Sequence, residues 1–334
     1  MGETSASYQI RSSIRSALDF SAPGDRVLVG VSGGADSLAL AQGLILEAEE
    51  FAVQPIAIII DHQLQKNSHE VASITEKTLV GIGYTDVRII KVKVDGRDGI
   101  EASARRARYS AFEEVAHNLD ATLFLLGHTM DDQAETVLMG LARGSGTRSL
   151  SGMAEKHGIF FRPLLAITRA QTIRACEEWK FSPWSDPHND DLQFTRVRVR
   201  KNVLPTIERD LGPGIADALV RSAKLLRDDA DALDEWSASL FSGMNPLDLD
   251  VVALESLPRA VRTRVLRLAI YAAGAPAGSL NAEHITPVEA MVTAWRGQGE
   301  CSLPGGVKVQ RISGRLDRKS TRLNSSHTDI SRMP

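Results

Sequence analysis

Three groups of residues have the types and spacing to do chemistry. The first is Ser32-Gly33-Gly34-Ala35-Asp36-Ser37, set between the apolar, β-branched run Val27–Val31 and the apolar stretch Leu38–Leu46. A strand that enters a helix through a glycine turn aims several backbone N–H groups and the helix's positive end at one point, which suits phosphate. Glycine there leaves no Cβ in the path of the ligand. The second group is His128, Asp132 and Glu135, whose spacings of four and three put them on one face of a helix. Such a set can ligate a divalent metal, pair with an ammonium group, or merely cap and charge a helix start; spacing leaves all three open. The third group is basic: Arg105, Arg106 and Arg108, then Arg196, Arg198, Arg200 and Lys201. These clusters suit a phosphate backbone or a plain solvated face.

The glycine loop is not the common nucleotide loop, which ends in Gly-Lys-Ser/Thr; no Lys follows Gly34. Ser-Gly-Gly-x-Asp-Ser resembles instead the PP-loop of ATP pyrophosphatases, which cleave between the α and β phosphates and leave AMP on a substrate oxygen.

Positioning these groups requires strands that alternate with helices. A leading helix is expected over Tyr8–Phe20. Buried strands are expected at Val27–Val31, Pro55–Ile60, Val87–Val94 and Thr122–Leu126, with helices at His69–Gly81, Ile100–Asn118, Asp131–Arg143 and Thr168–Lys180. This alternation implies an α/β fold, a doubly wound parallel sheet with right-handed crossovers. Ligands then bind beyond the carboxyl ends of the strands, where Asp61 and His62 are candidate neighbours of a nucleoside. Leu211-Gly212-Pro213-Gly214 breaks the chain, and Ile215–Phe241 reads as one long amphipathic helix with Leu219, Ala223, Leu226, Ala230 and Leu233 on a stripe. The expected division is a catalytic domain over 1–212, a linking helix over 213–245 and a smaller, mainly helical domain over 246–316 that ends in a hairpin after Leu303.

Bulk composition narrows the function. A chain of 334 residues holds two domains. A net charge of −3 means that any nucleic-acid contact relies on local patches. No stretch is apolar enough to span a bilayer, and the first residues lack the basic-then-apolar pattern of a secretory signal, so a cytoplasmic location is expected. Cys176 and Cys301 form no CxxC pair, which argues against a zinc site or a disulfide framework. Residues Asp317–His327, DRKSTRLNSSH, translate a common sequencing-library adapter, and Ser331–Pro334 continue it in another frame. Residues 317–334 are therefore set aside as adapter-derived.

Further motifs follow the loop in order: GIEASARRARYSAF, GHTMDDQAETVLMGLARGSGTRSLSGM, FRPLL and SDPHNDDLQFTRVRVRKNVLP. Together they resemble the tRNA(Ile)-lysidine synthetase family, strongly over Val27–Pro205 and more weakly beyond, in the manner of its shorter bacterial forms. The resemblance implies an adenine nucleotide alpha hydrolase-like fold and an enzyme that uses ATP, Mg²⁺ and free lysine. Its tRNA substrate is an isoleucine tRNA with a CAU anticodon, and its product is lysidine at the first anticodon position. It implies that Ser32, Gly33, Gly34, Ala35 and Ser37 hold the ATP phosphates, that Asp36 binds Mg²⁺, and that Asp132 and Glu135 receive lysine. Arg143, with Arg105 or Arg108, would stabilise phosphate or the adenylated base. Arg105, Arg108, Arg196, Arg198, Arg200 and Lys201 would contact tRNA. A homodimer is left open, and no membrane is involved. Val197 stands where the family usually has Asn. The competing readings are another PP-loop ligase acting on a small molecule and a non-catalytic RNA-binding protein. Thiolases with CxxC pairs are disfavoured by the cysteine count.

Overall fold

A computed structural model describes residues 5–63, 68–94, 100–144, 146–184 and 190–320. Ser145, part of the loop Ser182–Asp191 and the end of the adapter-like tail lie outside the described residues. The chain divides by its contacts into two units, Met1–Leu226 and Arg227–Pro334.

The first unit runs α1 (Ala6–Leu18), β1 (Arg26–Gly30), α2 (Ala35–Glu47), β2 (Gln54–Asp61), α3 (Ser68–Gly81), β3 (Val87–Lys91), α4 (Ile100–Asn118), β4 (Leu123–Leu126), α5 (Met130–Ala142), α6 (Thr147–Leu150), β5 (Lys156–His157), β6 (Phe160–Phe161) and α7 (Arg169–Glu178). It continues through α8 (Thr195–Arg198), a π turn (Val199–Val203) and α9 (Leu204–Leu211), and enters α10 (Ile215–Ser242). The sheet order is β3-β2-β1-β4-β6-β5, with every pair parallel except β5–β6. The expected doubly wound parallel sheet is present. The order reverses between β1 and β4, so the crevice at their carboxyl ends is the place where such sheets bind ligands.

Alternation along each strand feeds two cores. Val27 and Val29 of β1, Ala57 and Ile59 of β2, and Leu123 and Leu125 of β4 face the layer built by α1, α2, α3 and α7. Leu28, Ile56, Ile58, Phe124 and Leu126 face the opposite layer, where Phe112 and Ala116 of α4 cover them. Strands buried on both faces carry no polar alternation, which explains the continuous apolar runs in the sequence. Each fully buried Leu or Ile contributes about 1.5–3 kcal/mol, so the site rests on a rigid sheet. Phe160–Leu165 forms only the two-residue strand β6, because Pro163 starts a 3-10 turn.

In the second unit, β7 (Asp248–Asp250), α11 (Val251–Glu255), α12 (Arg259–Ala272), α13 (Ala282–Thr293), β8 (Cys301–Leu303), β9 (Val307–Ile312) and β10 (Arg315–Ser320) surround a core that includes Val265, Ile270, Val288 and Val307. The expected hairpin is β8–β9, and it belongs to an antiparallel sheet of order β7-β10-β9-β8 that accompanies the expected helices. β10 extends past Leu316 to Ser320, into the adapter-like stretch. A backbone ladder uses only N–H and C=O groups, so pairing is indifferent to where those residues come from.

Candidate active site

The glycine loop leaves β1 and opens α2 at the switch point. Ser37 Oγ donates to the Gly34 carbonyl at 3.0 Å, and the Ser32 amide donates to Ser37 Oγ at 3.1 Å, so the loop is tied to the helix start. Gly33 has φ +88°, and a Cβ there would lie 2.6 Å from Thr75 Oγ1. Only glycine fits. Across the switch point, a Cβ at Gly127 would lie 3.2 Å from the Asp36 carbonyl, so β4 delivers its chain against the first turn of α2. The resulting cavity holds about 480 Å³ and is lined by Ser32, Gly34, Asp36, Ser37 and Asp132, among others. That volume lies within the range of small-molecule sites.

Asp36 points into this cavity. Burial pushes its carboxyl above the usual carboxylate range, opposed by the Thr172 hydroxyl, which donates to Oδ1, and by Arg169, whose Nη1 lies 3.8 Å from Oδ2. The compensation is incomplete, so a cation would be welcome beside Asp36. Thr172 is fully buried on α7, and the Arg169 amide donates to Asp131 at 2.8 Å, which docks α7 on the start of α5.

Asp132 caps α5. Its Oδ2 accepts from the Thr129 amide at 2.9 Å, while Thr129 Oγ1 accepts from the Asp132 amide in return. One turn further, Glu135 is completely buried. Arg200 Nε donates to Glu135 Oε1 at 2.5 Å and its Nη2 donates to Oε2 at 3.2 Å; Nη2 also lies 3.5 Å from Asp132 Oδ1. Arg196 Nε lies 3.0 Å from Glu135 Oε2 but out of line for a hydrogen bond, so that contact is ionic, while its Nη2 donates to Thr136 Oγ1 at 2.8 Å. Burial holds Glu135 above the usual carboxylate range, and the two guanidiniums in contact with it oppose that shift. Arg196 and Arg200 are thus turned inward onto carboxylates rather than outward toward an RNA backbone, and Glu135 is closed to a ligand in this arrangement. Among the described residues no group of three or more His, Cys, Asp and Glu side chains is arranged to hold a metal, so His128, Asp132 and Glu135 do not form such a site.

His62 and Arg108 form another wall. Arg108 Nε donates to His62 Nε2 at 3.3 Å, and His62 is lowered to about 4, mainly by burial and then by Arg108. His128 is lowered to about 3 by burial, with Asp132 opposing. Both imidazoles are neutral at pH 7, and the Nδ1 atom of each is buried without a protein partner. The remaining expected residues stand elsewhere. Arg105 is exposed and stacks over Tyr109 at 4.9 Å. Arg198 donates to the carbonyls of Leu192 and Gln193 at 2.8 Å, so it holds the preceding loop, and Lys201 pairs with Asp190. Arg143 sits at the exposed C-cap of α5, about 20 Å along the helix from Thr129, and does not line the cavity.

Sequence reading missed Arg169, Thr172, Thr75 and Trp184. Trp184 donates its amide to the Gly33 carbonyl at 3.0 Å and lines the cavity. None carries a local signal: each reaches the loop from more than 40 positions away.

Comparison with known proteins agrees with this geometry. A family model of a PP-loop domain matches residues 4–207, and one of the TilS substrate binding domain matches residues 249–316. The tRNA(Ile)-lysidine synthase of Thermobifida fusca (strain YX) is 47% identical over 309 residues, covering 92% of this chain and 95% of that protein. The tRNA(Ile)-lysidine synthase of Streptomyces coelicolor is 47% identical over 295 residues, covering 87% of this chain and 84% of its own. A solved structure, the U34-tRNA thiolase NcsA from Methanococcus maripaludis with its [4Fe-4S] cluster, superposes with a TM-score of 0.54 at 18% identity, over 66% of this chain and 78% of that one. That likeness bears on the fold alone. With a PP-loop at the switch point of its sheet and close relatives matched almost end to end, the chain belongs to the tRNA(Ile)-lysidine synthase family of ATP-utilising ligases.

Proposed function

We propose that the cavity joins free lysine to C2 of the cytidine at the first anticodon position of a CAU-anticodon isoleucine tRNA. The observation that carries the reading is the convergence, in one cavity at the β1/β4 switch point, of the Ser32–Ser37 loop with Asp36 and Asp132, within a chain of this family. In the first step the C2 carbonyl oxygen of the base attacks the α phosphorus of ATP and pyrophosphate leaves. In the second, the lysine side-chain amine attacks C2, the C2–O bond breaks, and AMP departs with that oxygen. The proton lost by the amine passes to a base, for which the Asp132 carboxylate is suited by position. The anticodon loop supplies a base that is cheap to unstack.

Each residue's task follows from its surroundings. The amides of Ser32–Ser37 and the start of α2 hold the triphosphate. Asp36 suits a divalent cation, because its burial is only partly offset by Thr172 and by Arg169 at 3.8 Å. Mg²⁺, when bound, would neutralise charge on the departing pyrophosphate; Thr172 fixes the carboxylate that would hold it. Asp132 and Glu135 take the lysine ammonium, Glu135 only after an arginine gives way. His62, Arg108 and His128 suit the nucleoside wall, where neutral imidazoles hydrogen-bond without adding charge. Arg105, Arg198 and Lys201 are the exposed or half-exposed cations left for tRNA, and Arg143 reaches a substrate only if tRNA approaches the far end of α5. We assign residues 1–212 to catalysis, 213–245 to a linking helix and 246–316 to tRNA binding, and place the reaction in the cytoplasm with its tRNA.

The test is transfer of labelled lysine into acid-precipitable tRNA with ATP and Mg²⁺, comparing CAU-anticodon isoleucine tRNA with initiator methionine tRNA. Label in the isoleucine tRNA alone, with AMP released in step, is the expected result. Pyrophosphate release without tRNA would point to a small-molecule ligase instead.

A further inference from the structure

Arg200 occupies the place that the proposed function reserves for a substrate. Its guanidinium takes both oxygens of Glu135 and reaches Asp132 at 3.5 Å, so it spans the two carboxylates assigned to the lysine ammonium. Two cations cannot share that position. Glu135 is completely buried, and a buried carboxylate cannot be left without compensation. Guanidinium and ammonium are therefore alternatives, and exchanging one for the other leaves the charge of the pocket unchanged. Arg196 also lies 3.0 Å from Glu135 Oε2.

The same cavity holds what could draw Arg200 away. It is lined by Arg200 together with Ser32, Gly34 and Ser37 of the anion-binding loop, and the field of Asp36 reaches Arg200 as well. A triphosphate seated on that loop brings several negative charges into reach, and guanidinium pairs with phosphate oxygens in a bidentate fashion. Arg200 lies in the π turn Val199–Val203, the one such turn among the described residues, and such turns are rare and frequent at functional sites.

We propose that Arg200 is a resident stand-in for the amine substrate, released from Glu135 and Asp132 when nucleotide binds, so that nucleotide binding opens the amine site. The proposal rests on the assignment of Asp132 and Glu135 to lysine made above. Its chemical benefit is order: the amine site opens only once the nucleotide that must activate the base is seated on its loop.

Equilibrium dialysis of labelled lysine against the full chain tests this, alone, with a non-hydrolysable α,β-methylene ATP analogue and Mg²⁺, and with tRNA alone. Lysine should bind about tenfold more tightly with the analogue, within the usual range of coupling between sites. In Arg200→Ala the affinity should be high and change by less than about twofold on adding it. Arg200→Gln, which keeps a donor toward Glu135, reads the same loss of coupling should the alanine variant not fold. Equal lysine affinity with and without the analogue in the unmodified protein overturns the proposal. So does coupling that persists in a folded Arg200 variant, or tightening by tRNA alone and not by nucleotide. Labelled lysine that enters tRNA while its binding ignores nucleotide removes this ordering and leaves the function intact. Absence of transfer under all conditions removes the function itself.

Discussion

Three carboxylates carry the proposed chemistry, and each meets a different environment. Asp36 is largely buried with weak compensation, Asp132 is held by a helix cap, and Glu135 is sealed under two arginines. Their replacements should therefore behave differently. Asp36→Asn should lower kcat by about 10²–10³-fold, the usual cost of removing one preorganised electrostatic group. It should not destabilise the fold, because it removes a carboxylate that burial disfavours; turnover and urea unfolding on the same sample check both halves. Glu135→Gln leaves Arg196 and Arg200 facing a neutral amide. A broken buried pair costs about 3–5 kcal/mol, and the arginines are about a quarter exposed, so a loss near 3 kcal/mol is expected in urea unfolding. An unchanged midpoint would mean that the pair contributes nothing net. The shared face of Asp132 and Glu135 was legible from spacing. Their partners were not, because Arg196 and Arg200 lie some 60 positions later and meet α5 only through tertiary packing.

The elements that matter most are the two strand–loop–helix junctions at β1/α2 and β4/α5. Both were readable, since a buried apolar run followed by Gly and then a capped helix leaves few alternatives. The closeness of Gly127 to Asp36 was not, because it depends on the order of strands in the sheet. Gly33→Ala should cost about 1–2 kcal/mol of backbone strain at positive φ, besides the clash with Thr75. It should weaken nucleotide binding at least tenfold, a 1.4 kcal/mol effect, measured by titration with an ATP analogue; unchanged affinity would separate the loop from the phosphates. The helical path of Thr195–Leu211 was read only as a basic cluster. Its first turns alternate arginine and valine over Arg196–Arg200, a strand-like period, and the docking of its π turn on α5 is a property of the folded unit. β7 was equally invisible: Asp-Leu-Asp is a strand only because β10 pairs with it.

At the scale of the whole molecule, the neutral histidines impose a pH limit. His62 and His128 sit near 4 and 3 when folded, against about 6.5 in an unfolded chain. Below 6.5 the unfolded state binds protons that the folded state refuses. Stability is therefore complete above that value and falls as pH drops toward the folded values. About 2 kcal/mol should be lost between pH 7.5 and 5.5, less than the limit for two protons because both rings border an open cavity. Urea unfolding at the two pH values measures it, and His62→Gln combined with His128→Gln should flatten the difference. The two contact units meet inside α10, at Leu226/Arg227, rather than at the Gly212-Pro213-Gly214 breaker. Glycine and proline punctuate the local backbone, whereas the division into units follows the contacts along the whole chain. The stripe of α10 shows the handover: Ala223 and Ala230 are both buried, and Leu233 packs against the second core.

A π turn holds one residue more than an α turn. Deleting a single residue from Val199–Val203, for example Asn202, would let the segment relax into an uninterrupted α-helix whose two flanks keep their phase, because an α turn sweeps nearly the same angle with one residue fewer. The backbone would be more regular, but the local widening in which Arg200 sits over Glu135 would be gone. Length at this one place is thus a functional parameter separate from sequence: homologous chains can exchange side chains around the turn, but a one-residue gap in it should mark proteins that have left this chemistry.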